Sequence, residues 1–145
     1  PDKIGGTVDE QRAMVATWPH RKEYGAPVWH LGLPLEYLFD LCNDWPRVCI
    51  GSSGEVWQVG SAAWCGRMDE TFNALVQQFG RVPWLHGLRM LGQAAGPWPL
   101  ASADSTNVGR NFKDGIVCAD CMAQRIDSIN PPTLWTERPI QESLV

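Results

Sequence analysis

Short apolar runs that alternate with longer amphipathic segments constrain the fold of this chain more than any other feature. Each run is β-prone and ends at a Gly, His or Asp, which is typical of buried strands. The runs cover residues 27–31, 47–51, 83–88 and 100–103. Their regular alternation with helical segments predicts βα units around a parallel sheet, and therefore an α/β fold.

Four other segments have apolar residues at helical spacing. One begins at a Thr7 cap and ends near Trp18, the second begins at Pro34 and stops at Asn43-Asp44, the third extends from Ser61 to Gly80, and the last lies around residues 114–128. Caps of this kind and a closing glycine are the usual signals of helix boundaries. These elements predict one domain over residues 1–130, followed by a Pro-rich tail over residues 131–145.

Two architectures fit this order of elements: a portion of a TIM-type (β/α)8 barrel, and a small open doubly wound sheet. The barrel is favoured because every strand is followed by polar residues or glycines, which would then meet in one cleft at its carboxyl-terminal face. These residues are Asp2, His30, Gly51-Ser52-Ser53, His86 and Asp104. Together with a strand expected before Pro1, the four units predict the C-terminal portion of a barrel whose N-terminal strands are missing.

Composition and charge narrow the function classes. With 44% hydrophobic and 19% charged residues, the chain resembles a soluble globular protein and not a disordered one. Its net charge of −4 gives no overall basic surplus, so a nucleic-acid contact would need a local patch such as Arg81, Arg89 and Arg110. No apolar run approaches the roughly 18 residues of a membrane span, and five unevenly spaced cysteines suit a reducing compartment, so we expect a cytoplasmic protein with no membrane partner.

Asp104 is the leading candidate for chemistry. It follows the last apolar run and opens a dense polar cluster, Asp104-Ser105-Thr106-Asn107. Catalytic side chains project from the carboxyl ends of parallel strands in α/β proteins, which is where this residue is expected. The alternative is structural, because Asp at such a position also caps helices and closes Asx-turns.

The other candidates have structural alternatives as well. The loop Gly51-Ser52-Ser53-Gly54-Glu55 is able to cradle a phosphate or a base, although it lacks the P-loop lysine and the dinucleotide spacing, and a tight turn is an equal alternative. His30 and His86 each follow an apolar pair at a strand end, where a histidine is either a hydrogen-bonded core residue or part of a shared site with Asp2 and Asp104. No short ligand spacing supports a metal site built from them.

Cys118-x-x-Cys121 is half of a zinc or redox motif. The other half is missing, since the remaining cysteines lie far upstream and no histidine follows Cys121. At helical spacing the two sulfurs fall on one face of the last helix. We therefore expect them to be buried, with metal binding in a complete protein as the alternative.

Three segments resemble, in the same order, motifs of the tRNA-guanine transglycosylases. Ile50-Gly51-Ser52-Ser53-Gly54-Glu55 is similar to the family's Gly-Gly-Leu-x-Val-Gly-Glu loop. Trp84-Leu85-His86-Gly87-Leu88 is similar to its Leu-Met-Gly-Val strand. Ala103-Asp104-Ser105-Thr106-Asn107-Val108-Gly109-Arg110-Asn111 is similar to its Phe-Asp-Cys-Val-x-Pro-Thr-Arg-x-Ala-Arg-Asn segment. The family's Val-Gln-Gly and Leu-Asp-Glu-Cys strands correspond to Val28-Trp29-His30 and Pro1-Asp2. The chain also resembles phage-encoded proteins distantly related to this superfamily, which includes enzymes that place 7-deazaguanines into DNA.

The resemblance implies a TIM-barrel enzyme that exchanges a purine or 7-deazapurine base in tRNA or DNA, with Asp104 as the nucleophile that attacks C1′. It implies a substrate site made of Asp2, His30, Gly51, Ser52, Ser53, His86 and Arg110. The sequence departs from the family at His30, which replaces a Gln, and at Gly51-Ser52, which replaces Gly-Gly. The family's Cys-x-Cys-x-x-Cys zinc cluster is reduced to Cys118-x-x-Cys121, so no cofactor is expected and zinc is the alternative.

Two further functions remain open at this point. One is a catalytically inactive domain of a phage protein that uses the barrel cleft to bind a nucleotide or a protein. The other is a metal-dependent hydrolase that uses His30, His86 and Asp104. One concave pocket lined by Asp2, His30, Gly51, His86 and Asp104 would favour the enzyme. A helix cap at Asp104, with His30 and His86 pointing into the packed core, would favour a binding or structural role.

Overall fold

A computed structural model describes residues 2–105 and 118–139. Within these ranges four strands form one sheet: β1, Val28–His30; β2, Val48–Gly51; β3, Leu85–Gly87; and β4, Ser102–Ala103. Their order in the sheet is their order in the sequence, and every neighbouring pair is parallel. The prediction of an α/β fold built on a parallel sheet is confirmed.

Four α-helices accompany the sheet in the described residues: α1, Val8–Ala16; α2, Leu35–Asp44; α3, Ala62–Phe79; and α4, Ala119–Asp127. The start of α1 is fixed by a capping box in which Thr7 and Glu10 satisfy each other's backbone N–H groups. Ser61 caps α3 by accepting the N–H of Trp64, and Gly80 ends it with a φ of 68°. The bounds of α1 and α3 are therefore set by local hydrogen-bonding chemistry.

The core lies between the sheet and the helices α2 and α3. Each strand contributes alternate residues to it, because successive side chains of a strand point to opposite faces. The largest contributors are Trp29, Ile50 and Leu85 from the sheet, Leu38 and Leu41 from α2, and Trp64, Met68, Phe72 and Leu75 from α3. This packing fixes which face of each strand is turned away from the helices.

The opposite face of the sheet has a different character. Its residues are Val28, His30, Cys49, His86 and Ser102, and we call it the open face. The strand register aligns Cys49 with His86 and His86 with Ser102, so these three side chains form one row across β2, β3 and β4. All three are only half-buried, whereas Ile50 and Leu85 on the core face are buried.

The described part of the Pro-rich C-terminal segment packs on α3. The amide of Asn73 donates to the carbonyl of Arg138 at 2.8 Å and accepts the indole N–H of Trp135 at 2.8 Å. The Trp135 ring lies 5.3 Å from the ring of Phe72. Residues 131–139 thus add an aromatic contact to the outer side of the domain.

Membrane insertion finds no support in the helices. Among residues 2–105 and 118–139, no helix combines the length and the apolar character needed to cross a bilayer.

Candidate functional site

Asp104 stands at the carboxyl-terminal edge of the sheet, where the loop after β3 holds it. Its backbone N–H donates to the Gly87 carbonyl at 3.1 Å, and its own carbonyl accepts the N–H of Leu91 at 3.0 Å. Its carboxylate oxygen Oδ1 accepts the backbone N–H of Arg89, a non-glycine residue with a left-handed φ of 59°. The side chain is still 55% exposed. The carboxylate is therefore both oriented and accessible.

The cap alternative for Asp104 concerns the residues that follow it. Residues 106–117 lie outside the described part of the chain. The side-chain bond that the structure does describe is the one to Arg89, which precedes Asp104 and belongs to the loop after β3.

His86 lies beside Asp104 on the neighbouring strand. Its Nδ1 is 2.7 Å from the hydroxyl oxygen of Ser102, and its Nε2 is 3.7 Å from Oδ2 of Asp104. When Ser102 donates to Nδ1, the proton of the neutral imidazole lies on Nε2 and faces the carboxylate. Ser102 thus orients the ring of His86 toward Asp104.

A second histidine and carboxylate occupy the other end of the open face. The His30 ring is buried, and its Nε2 lies 2.9 Å from Oδ2 of Asp2. The ring also lies directly over Gly51, where an added Cβ would stand 2.9 Å from Nδ1. His30 Nδ1 is buried and has no hydrogen-bond partner among the described residues. Gly51 therefore makes room for the imidazole that the Asp2 carboxylate holds.

Cys49 lies between these two histidine and carboxylate pairs. Burial raises the pKa of its thiol, and the negative charges of Asp104 and Asp2 raise it further. Because the raised pKa keeps the thiol protonated near neutral pH, Cys49 is a poor nucleophile.

The two serines after β2 are turned toward the protein interior. The Ser52 hydroxyl accepts the indole N–H of Trp64 at 2.9 Å, which ties it to a buried core residue. Ser53 is itself buried, with 8% exposure. The loop that sequence reasoning interpreted as a cradle for a phosphate or base thus uses one hydroxyl to anchor α3.

Trp84 extends the open face toward the amino ends of the strands. Its ring is parallel to that of His86, with 6.5 Å between the centroids, and 41% of the residue is exposed. The guanidinium of Arg47 lies 5.7 Å from the centre of the Trp84 ring. An accessible aromatic surface therefore adjoins the row that contains His86.

Of the predicted site residues, the structure brings Asp104 and His86 together, and separately Asp2, His30 and Gly51. Arg110 lies outside the described residues. Neither Ser102 nor Cys49 was singled out from the sequence as a site residue. The signal that could have found them is the strand alternation, because Cys49 and Ser102 each stand two residues before another predicted site residue.

The prediction that Cys118 and Cys121 are buried is wrong, because both are exposed. Cys118 is the N-cap of α4 and not part of its apolar face, which consists of Met122 and Ile126. In the described part of the chain, no three His, Cys, Asp or Glu side chains are grouped closely enough to hold a metal ion. The two cysteines alone are thus an incomplete ligand set for a structural zinc, which takes four.

A carboxylate beside an imidazole at the carboxyl ends of parallel strands is chemically versatile. The carboxylate is able to act as a nucleophile or a base, and the imidazole is able to move a proton. We find no family model, curated protein or solved structure that matches the chain.

Proposed function

We propose that the chain carries a base-exchange site of the tRNA-guanine transglycosylase type, with Asp104 as the nucleophile. The observation that carries this proposal is the accessible carboxylate of Asp104, which lies beside His86 and accepts one hydrogen bond from Arg89, while the backbone of Asp104 is bonded to Gly87 and Leu91. An oriented and solvent-accessible carboxylate is what nucleophilic attack on a sugar carbon needs.

The sheet topology supports the barrel part of the proposal. Its strands are all parallel and follow one another in sequence order, as in a segment of a (β/α)8 barrel. A doubly wound sheet of the common kinds changes direction at a switch point and so departs from sequence order. We therefore propose that the four strands are a segment of such a barrel, with the open face turned toward the barrel interior.

The chemistry proceeds in two balanced steps. In the first, an oxygen of the Asp104 carboxylate forms a bond to C1′ of the nucleotide, the bond from C1′ to the base nitrogen breaks, and its electron pair leaves with the base, which takes up a proton. In the second, a nitrogen of the incoming base attacks C1′, the Asp104 ester bond breaks, and the incoming nitrogen loses its proton. Since Oδ1 accepts the Arg89 N–H, Oδ2 is the oxygen left for attack, and His86 stands 3.7 Å from it to move the proton.

We assign base recognition to the end of the open face that holds Asp2 and His30. The Asp2 carboxylate is one-third exposed and fixed by His30, so its remaining acceptor capacity is available to N–H groups of a purine edge. The nucleic-acid backbone would be held by a local basic patch, since the chain as a whole carries a net charge of −4. Five cysteines without a disulfide in the described residues suit the cytoplasm as the place of action.

The test is a labelled-base exchange assay with the full protein, using tRNA and duplex DNA as separate substrates and guanine or a 7-deazaguanine as the labelled base. We expect label in one nucleic acid, and a protein–nucleic acid adduct on a denaturing gel that is absent in Asp104→Ala. The matched control is Asp44→Ala, which removes an exposed carboxylate at the end of α2. An adduct that persists in Asp104→Ala would refute the assignment of the nucleophile.

The outcome of the same assay separates exchange from binding. If nucleic acid binds to the protein and to Asp104→Ala alike, with neither label nor adduct, the chain is a binding domain and the base-exchange proposal is wrong.

A further inference from the structure

Two cysteines lie together at the start of α4, away from the carboxylate site. Cys118 is the N-cap residue, and its sulfur accepts the backbone N–H of Cys121 at 3.3 Å. Both side chains are exposed. The structure therefore holds two accessible thiols, three residues apart in the sequence and linked by this hydrogen bond, at the positive end of a helix nine residues long.

The environment makes the two thiols unequal. The hydrogen bonds from the thiol and the backbone N–H of Cys121 lower the pKa of Cys118, because they favour its thiolate. The same contact and the resulting negative charge raise the pKa of Cys121. One sulfur is thus prepared to attack, and its neighbour stays protonated until the first has reacted.

We propose that Cys118 and Cys121 form a reversible dithiol–disulfide centre that exchanges with low-molecular-weight or protein disulfides. A Cys-x-x-Cys pair in which the first sulfur caps a helix is the arrangement that thiol–disulfide exchange requires, since the attacking thiolate must be accessible and the resolving thiol must be within reach. This activity is separate from the exchange reaction proposed for Asp104.

The step is balanced with a disulfide as the oxidant. The Cys118 thiolate attacks one sulfur of the external disulfide, a mixed disulfide forms, and the other half leaves as a thiolate. Cys121 then loses its proton and attacks Cys118 Sγ, which releases the second external thiolate and leaves a Cys118–Cys121 disulfide. The two protein thiols are oxidised by two electrons, and the external disulfide is reduced to two thiols.

The remaining cysteines are unsuited to this chemistry. Burial raises the pKa of Cys42 to about 12, and it also raises the pKa of Cys49 and of Cys65. At neutral pH these three thiols are protonated and partly shielded, so they serve as internal controls in the same molecule.

The test treats the reduced full protein with oxidised glutathione at pH 7, then alkylates the free thiols and maps them by mass spectrometry. We expect a disulfide between Cys118 and Cys121 that dithiothreitol reverses, with Cys42, Cys49 and Cys65 alkylated. In Cys121→Ser, which keeps a side-chain donor, glutathione should accumulate on Cys118. In Cys118→Ser, glutathionylation of Cys121 should be slower by about tenfold, as expected for a thiol without activation.

Three outcomes would overturn the proposal. The first is no Cys118–Cys121 disulfide in the wild-type protein, and the second is no glutathione on Cys118 in Cys121→Ser. The third is bound zinc in the purified protein that blocks alkylation of both thiols until a chelator removes it, because the pair would then be part of a metal site. Circular dichroism of each variant checks that α4 and the fold are retained.

Discussion

The two ends of the open face hold the same pair of groups in opposite ways. At one end His30 is buried and its position depends on Asp2 and on the space above Gly51. At the other end His86 and Asp104 are more accessible, and backbone N–H and carbonyl groups of the loop after β3 position the carboxylate. Burial thus fixes the first pair and hydrogen bonding fixes the second. We expect substitutions at the first end to act on folding as well as on base recognition, and those at the second to act on chemistry.

The largest expected effect is on catalysis. Asp104→Asn should lower base exchange by about 10⁴-fold, as removal of an enzyme nucleophile commonly does, because the amide has no electron pair suited to attack on C1′. The free energy of unfolding should change little, since the side chain is more than half exposed. Exchange rates and urea unfolding of the same variant provide the measurement. A large loss of stability with intact exchange would reverse the contrast between the two ends.

A smaller effect, on stability, is expected at Gly51. Gly51→Ala places a methyl group 2.9 Å from Nδ1 of His30 and 3.3 Å from Val28, so the ring must shift and stability should fall by about 1–3 kcal/mol. Gly66→Ala is the matched control, because an added Cβ in the middle of α3 meets nothing within 4 Å. We expect the control to be stabilising by about 0.5–1 kcal/mol through helix propensity. Equal effects of the two substitutions in urea unfolding would contradict the proposed packing of His30.

Removing the partner of each histidine compares the two ends directly. Asp2→Ala leaves the buried His30 ring without its side-chain acceptor and should cost about 1–2 kcal/mol, since a buried polar group then loses its hydrogen bond. Ser102→Ala removes the partner of His86 and should cost about 0.5 kcal/mol, because water reaches that ring more easily. Thermal unfolding of both variants measures the difference. A larger loss of stability in Ser102→Ala than in Asp2→Ala would show that the hydrogen bond of His86 contributes more to stability than that of His30.

The smallest expected effect tests whether the carboxylates at both ends of the open face raise the pKa of the same thiol, that of Cys49. Asp104→Asn and Asp2→Asn each remove a negative charge that raises the pKa of Cys49, so each should lower that pKa and speed alkylation of Cys49 by about twofold at pH 8. Asp69→Asn is the crossed control, since Asp69 raises the pKa of Cys65 instead. It should speed alkylation of Cys65 and leave Cys49 unchanged. Peptide mapping after a short exposure to iodoacetamide gives both alkylation rates. An unchanged alkylation rate of Cys49 in Asp104→Asn and Asp2→Asn would show that neither carboxylate affects the pKa of this thiol.

Local patterns in the sequence predicted most of the fold. The strands lie within the predicted runs, and Thr7, Ser61 and Gly80 mark helix ends as expected, because capping depends on a few adjacent residues. Parallel pairing of β1, β2 and β3 also followed, since α2 and α3 separate these strands, whereas residues 88–101 join β3 to β4 without an α-helix. What the sequence could not predict is the register, which decides that Cys49 lies beside His86.

The candidate site was predicted less completely than the fold. Strands of two to four residues are too short for their alternation to reveal which side faces the helices, so Cys49 and Ser102 were not singled out. The error at Cys118 and Cys121 has a different cause. Helical spacing places two residues on one face, but it does not say that this face is the apolar one, and Cys121 lies roughly 100° around the helix from Met122.

The left-handed backbone conformation of Arg89 links the stability of this protein to the orientation of the Asp104 carboxylate. An L-residue in that conformation costs about 1–2 kcal/mol, which glycine would not incur. Glycine at position 89 would therefore stabilise the protein, but it would also make the backbone N–H that binds Asp104 more flexible. Selection for stability alone would therefore weaken the hydrogen bond that orients Asp104.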